Sequence, residues 1–350
     1  MVALKTIGVS LWDGQLRGGV SNAPTMYRSA ARPPTASFRE LFVEAYGKFA
    51  EKCRAFDEPG LAIVAVDANT GRPAGLVRLA ARVGRPVSAI VGRHDHCDLY
   101  LDNDARLPLR QLAIVLAPVK SWVRGKPEIH YRVFDLRTAD GIRDEEGRAL
   151  RGLRAEGPAI LRCGDYALFM LPIGDPTDWP EQASDAWAMH PERVYLDELT
   201  HVPGGSLPGL KMPQGGVTAT RPSVVYRVAG PRDTSVRLAA GDATGELEIT
   251  SRDRRVTFAV GEEALRDGVL LGRYARCDAA AGVAEDNSMS RVHLLIVHVD
   301  DQLLAIDTAS SRGTRVPGND TDHVRVAVID RDTELVLGKK TSVRWRWSAS

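Results

Sequence analysis

Residues 293–306 read His293-Leu294-Leu295-Ile296-Val297-His298-Val299-Asp300-Asp301-Gln302-Leu303-Leu304-Ala305-Ile306. Two apolar runs, His293 to Val299 and Leu303 to Ile306, flank Asp300-Asp301. Short runs of this kind parted by turn-forming residues predict a β-hairpin. The signal recurs outward in both directions. Downstream lie Val324 to Ile329 and Val343 to Trp347, and just upstream lie Leu247-Glu248-Ile249 and Val256 to Val260. Farther toward the N-terminus, Leu61 to Val66, Ser88 to Val91, Leu112 to Leu116 and Tyr166 to Leu171 repeat the pattern. Many short strands with regular turns predict an all-β chain built of sandwiches.

Two stretches depart from this pattern. Ser37-Phe38-Arg39-Glu40 reads as a capping box that opens a helix over 37–56. Its apolar positions Phe38, Leu41, Phe42, Ala45, Phe49, Cys53 and Phe56 form one stripe, expected to pack on the first strand-rich region. Residues 1–36, rich in Gly, Arg, Ser and Pro, are expected to be poorly ordered. Residues 176–232 hold Pro203-Gly204-Gly205 and Pro208-Gly209 and read as a linker with one short helix near Glu181–Met189.

The strand-rich regions resemble each other. Ile90-Val91-Gly92-Arg93 with Cys97-Asp98 matches Leu270-Leu271-Gly272-Arg273 with Cys277-Asp278, an offset of 180 residues. Leu109-Arg110-Gln111-Leu112 is aligned with Ser290-Arg291-Val292-His293, and residues 135–141 with residues 307–313. The expected division is an N-terminal extension at 1–58, a degenerate sandwich at 59–175, a linker at 176–232 and a second sandwich at 233–350.

Three loop motifs in the second copy stand at strand edges: Gly272-Arg273, Ser290-Arg291-Val292-His293, and Ser310-Ser311-Arg312-Gly313-Thr314. Each alone is weak, but their order and spacing resemble the forkhead-associated (FHA) family over about 100 residues, and more faintly in the first copy. That resemblance implies a β-sandwich whose loops dock phosphothreonine. It implies that residues matching Arg273, Ser290 and Ser311 touch the phosphate, with Arg291 adding an amide and Arg312 beside it. Gly272, Gly313 and His293 would support the site, His293 bracing the loops from behind. The chemistry agrees. A phosphothreonine carries close to two negative charges and three acceptor oxygens. Arg273 supplies a planar, permanently charged donor fork, and the serines supply small hydroxyls. The family usually has Asn where this chain has Arg312, so peptide selectivity departs from the family pattern. The first copy keeps Arg93 but has Leu109 and Leu112 where the serine and histidine are expected, and Ala139 and Asp140 in the third motif. It is expected not to bind phosphothreonine.

Composition bounds the alternatives. Formal net charge is +1, which argues against non-specific nucleic-acid binding. No apolar run approaches the roughly 18 residues of a membrane span, and residues 1–20 lack the apolar core of a secretory leader. Cys53, Cys97, Cys163 and Cys277 are widely spaced, which suits buried reduced thiols in a cytoplasmic protein. His94-Asp95-His96-Cys97-Asp98 is the string most like a metal site or a phosphohydrolase centre, but no second His/Glu cluster stands out to complete a shell. No nucleophile elbow, Walker loop or dinucleotide fingerprint is present, so no catalytic residue, metal or cofactor is assigned. The expected activity is that of an adaptor whose partner is a phosphothreonine-containing protein, a Ser/Thr kinase or its substrate. The alternative is a scaffold using both sandwiches without phosphate. Thr218 and Thr220 in the linker are candidate phosphorylation sites for binding in cis or by a neighbouring chain.

Overall fold

Leu61 to Val66 and Leu112 to Leu116 are apolar at every position because their strands are buried on both faces. Side chains alternate across a strand, so an unbroken apolar run serves two cores at once. In the computed structural model, Leu61, Ile63 and Ala65 enter one core while Ala62, Val64 and Val66 enter another. The structure describes residues 7–9, 36–119, 129–197, 222–228, 238–239, 241–251, 254–279, 286–317, 323–330 and 333–348.

Four sheets and a helix stack in five layers. The outer helix α1 (Phe38–Arg54) is capped by Ser37, whose side chain takes the Glu40 amide while the Glu40 carboxylate accepts from the Ser37 amide. Its face of Leu41, Phe42, Ala45, Tyr46, Phe49, Ala50 and Cys53 packs on Val64, Phe169 and Leu171. Beneath it lies a seven-stranded sheet that includes Gly60–Asp67, Pro73–Ala80, Ala159–Cys163 and Tyr166–Ile173. A second seven-stranded sheet follows, with Ser223–Val228, Gly152–Ala155, Tyr131–Asp135, Leu112–Leu116 and Val87–Gly92 in that order. The third sheet holds Val269–Leu271, Leu294–Val299, Gln302–Asp307 and Val326–Val328. The fourth holds Arg254–Gly261, Ala243–Ser251, Thr341–Trp347, Glu334–Leu337 and Thr314–Arg315.

The two sandwiches are joined face to face. Ile90, Ala113, Val115 and Phe134 from the second sheet form one core with Leu270, Leu295, Val297, Leu304 and Ile306 from the third. Arginines rim this seam. Arg132 donates to the carbonyls of His298 and Arg266, Arg137 donates to Gly268, and Arg325 pairs with the buried Asp98.

Several expectations need correction. The stretch 176–232 is not wholly a linker. Beside the expected short helix, α2 (Ala183–Met189), it carries the strands Arg193–Asp197 and Ser223–Val228, which extend the second sheet. Tyr46 donates to the Pro180 carbonyl and Arg54 to that of Trp179, so residues 179–180 are tied to α1. Prolines and glycines in the sequence masked these two strands. Pro73–Ala80, Tyr131–Asp135, Gly152–Ala155 and Ala159–Cys163 are also strands that the apolar runs did not reveal, since Arg78, Arg132, Arg154 and Arg162 interrupt them. Ile7–Val9 forms an edge strand against Pro73–Ala80, although residues 1–36 were expected to lack order. The rest of 1–35, together with Thr218 and Thr220, lies outside the described residues.

Candidate functional site

The loops at one end of the second sandwich bring the three motifs together. Gly272 ends the Val269–Leu271 strand where a Cβ would overlap the Arg291 carbonyl oxygen, so a side chain there would force the first two loops apart. Arg273 follows, its Nε donating to the Met289 carbonyl at 2.6 Å and its Nη1 standing 3.4 Å from Asn287 Oδ1. Ser290 is buried, and its hydroxyl oxygen accepts the Ser311 amide at 2.9 Å, which ties the second motif to the third.

His293 is fully buried between these loops. Its Nδ1 accepts the Ser290 amide at 3.2 Å and its Nε2 donates to the Gly313 carbonyl at 3.3 Å. Burial lowers its pKa, against a weaker upward pull from Asp307, so the ring is held neutral with the proton on Nε2. Gly313 sits at φ +68°, where its missing Cβ leaves room for the His323 ring. Asp307 steadies the third loop by accepting the Ser310 amide and the Ser310 and Thr314 hydroxyls, each at 2.7 Å.

Arg273, Ser290, Arg291, Ser311 and Arg312 line one cleft of about 280 Å³. Asn287, Ser288 and Met289 complete the second loop's share of it, and His94, Leu109 and Arg110 come from the first sandwich. Four arginines border the cleft, and among the described residues lining it there is no carboxylate. Such an arrangement attracts a compact anion and offers it amide, hydroxyl and guanidinium donors. The six additional lining residues carried little signal in the sequence. Only the His94-Asp95-His96 string stands out, and its residue types suggest a metal motif. Here His94 borders the cleft and the His96 ring donates to the Ser310 carbonyl at 3.4 Å.

Equivalent hydrogen bonds define how the two copies correspond. The Arg273 amide donates to the Ser290 carbonyl and the Arg93 amide to that of Pro108. The Arg273 Nε meets Met289 and the Arg93 Nε meets Leu107, while Cys277 and Cys97 donate to Arg291 and Leu109. Ser290 therefore matches Pro108, and His293 matches Gln111, one residue away from the sequence alignment. Gln111 takes over the brace, with its side-chain amide donating to the Gly141 carbonyl at 3.2 Å just as His293 donates to that of Gly313. All four cysteines are free and buried, and burial pushes the thiols of Cys53, Cys97 and Cys277 up to about 12.

These braced loops, in this order at one end of a sandwich, are the observation that decides the likeness. The second sandwich resembles a forkhead-associated domain. Solved FHA domains are among the structures that match the chain. The FHA domain of CT664 from Chlamydia trachomatis is 19% identical, with 31% of this chain and 100% of that domain covered and a TM-score of 0.26. The Rv1747 FHA-1 domain from Mycobacterium tuberculosis is 24% identical, covering 30% and 99%, with a TM-score of 0.22. The yeast Dun1 FHA domain, solved with a doubly phosphorylated peptide from Rad53, is 18% identical, covering 35% and 86%, with a TM-score of 0.26. No family model matches the sequence and no curated protein does.

Proposed function

We propose that the cleft of the second sandwich docks a phosphorylated threonine and that the protein acts as an adaptor for a phosphoprotein. The observation that carries this reading is the cleft lining: Arg273 anchored through Nε, three serines (Ser288, Ser290 and Ser311), three further arginines and no carboxylate among the described residues. A phosphothreonine placed there would gain charge-assisted bonds of roughly 1.5–3 kcal/mol each. Two or three of them sum to roughly 3–9 kcal/mol before the cost of association, so a micromolar Kd, about −8 kcal/mol, also needs contacts to the peptide around the phosphate. The partner would be a Ser/Thr kinase or one of its substrates. The first copy has Pro108 in place of Ser290 and Ala139 and Asp140 in place of Ser311 and Arg312, so it lacks both hydroxyls and carries an acid. It is not proposed as a second reader.

Calorimetry of the full chain with degenerate phosphothreonine, phosphoserine and unphosphorylated peptide pools tests the reading. Binding of the phosphothreonine pool alone, weakened by roughly 2–5 kcal/mol in Arg273→Ala, is the expected result. Equal binding of phosphorylated and unphosphorylated pools would point to a phosphate-independent scaffold instead.

A further inference from the structure

The first sandwich lacks a phosphate-binding constellation of its own, yet its equivalent loop reaches the cleft of the second. Arg110 leaves the loop that precedes the Leu112–Leu116 strand and crosses the seam between the sandwiches. It is 8% exposed. Its Nε donates to the Thr308 carbonyl at 2.7 Å and the Ala309 carbonyl at 3.1 Å, and its Nη2 donates to Ala309 at 2.6 Å. Ala309 stands at φ +59°, a left-handed turn that costs a non-glycine residue free energy unless its surroundings enforce it. The first copy forms the same turn at Arg137, φ +58°, and here three bonds from a planar guanidinium fix its position across the seam. The turn leads directly into Ser310, whose carbonyl accepts from the His96 ring, and then into Ser311, whose amide meets Ser290. Every residue from 308 to 311 is thus held by a partner from another loop, and 308 to 310 are held from the first sandwich. His94, Leu109 and Arg110 also line the cleft directly.

We propose that the anion cleft is a composite of both sandwiches, with Arg110 the positioning residue that sets the Ser310–Ser311 turn and His94 and Leu109 forming the wall opposite Arg273. This proposal rests on the phosphothreonine reading of the cleft. It gives the first copy a role that requires no phosphate pocket of its own: its loop holds the neighbouring ligand site. Arg110 corresponds to Val292 in the other copy, an apolar residue packed against the seam. The apolar seam of Ile90, Val115, Val297 and Ile306 fixes the distance over which Arg110 must reach, which makes a long side chain effective there. Loss of Arg110 would leave the Thr308 and Ala309 carbonyls buried at the seam without these donors and release the turn.

Two measurements on the full chain test this. The first is peptide affinity for Arg110→Gln, Arg110→Lys and Arg110→Ala, the last with and without ethylguanidinium. The second is amide hydrogen exchange at Ser310 and Ser311 without peptide. The expected result is affinity lowered roughly tenfold or more by Arg110→Gln and Arg110→Ala, with partial recovery on adding ethylguanidinium. Exchange at the two serines should speed up while that of the Leu294–Val299 strand stays slow. A merely destabilising change would accelerate exchange throughout and would not be rescued. Should Arg110 variants fail to fold, Leu109→Glu, which faces a carboxylate into the cleft from the half-buried wall, carries the test with the same expected loss. Wild-type affinity in Arg110→Gln or Leu109→Glu, alongside lost binding in Arg273→Ala, would overturn the composite site alone. No phosphopeptide binding by the wild-type chain would overturn the phosphothreonine reading and the composite site together.

Discussion

Arg273 and Arg110 border the same cleft with opposite duties. Arg273 anchors one nitrogen on its own loop at Met289 and stands half-buried at the opening. Arg110 is buried and spends its donors on the carbonyls of Thr308 and Ala309. Arg273→Lys should therefore recover little of the affinity lost in Arg273→Ala, because an ammonium cannot both hold Met289 and present a planar fork. Side-by-side titration of the two variants checks this, and a lysine variant binding like wild type would show that charge alone suffices. Gly272→Ala should weaken the same peptide without unfolding the core, since the added methyl meets the Arg291 carbonyl at the mouth of the cleft. Arg273, Ser290 and Ser311 were legible in the sequence because the motif types and spacing survive there. Arg110 was not, since a lone arginine beside an apolar run gives no indication of a partner 198 residues away.

At the scale of elements, α1 and α2 clamp the outer sheet through an aromatic cluster. The Phe42 ring lies 5.2 Å from Trp187 and 5.4 Å from His190, and His190 Nε2 is buried without a hydrogen-bond partner. Burial, followed by the nearby Arg193 charge, lowers the His190 pKa to about 4. Because the folded value lies below the unfolded one, this group's contribution is complete above about pH 6.5 and is lost as pH falls toward the folded value. The wild type should lose about 2 kcal/mol more than His190→Leu between pH 7.5 and pH 5, read by urea unfolding at the two pH values. Parallel losses in both proteins would remove His190 from the account. The helix itself was legible from Ser37 and Glu40, whose side chains cap it as the capping-box spacing requires. Its partner helix was legible too, near Glu181–Met189, but its docking on α1 through Trp179, Pro180 and Trp187 was not, because nothing local to either segment encodes that contact.

At the scale of the whole molecule, the seam between the sandwiches is as apolar as either core. Val297, at 0% exposure, sits in it with Ile90, Val115 and Ile306. Two sandwiches sharing such a seam should melt together. Scanning calorimetry of the wild type should give one transition, and Val297→Asp, which buries an unpaired carboxylate at a cost of at least about 3 kcal/mol, should split it into two. Two transitions in the wild type would mean that the seam adds little to cooperativity. The composite cleft follows from this architecture, since only a rigid seam can keep Arg110 within hydrogen-bond distance of Ala309.

By itself, the sequence determined the all-β character, the resemblance between the two strand-rich regions, the capped helix and the three loop motifs that meet at the cleft. These depend on local signals: turn residues, short apolar runs and fixed spacings within one loop set. The register between copies was decided by tertiary structure. Leu112 to Leu116 and Leu294 to Val297 are apolar without alternation, so nothing in their pattern resists a slip of one residue. The backbone bonds from Arg93 to Pro108 and from Arg273 to Ser290 removed that freedom. The reach of the first copy into the cleft was likewise decided only by the fold, because its residues get there through a seam that no local signal encodes. Strands buried on two faces announce that a second layer exists, but which sheet supplies it is a property of the packed molecule.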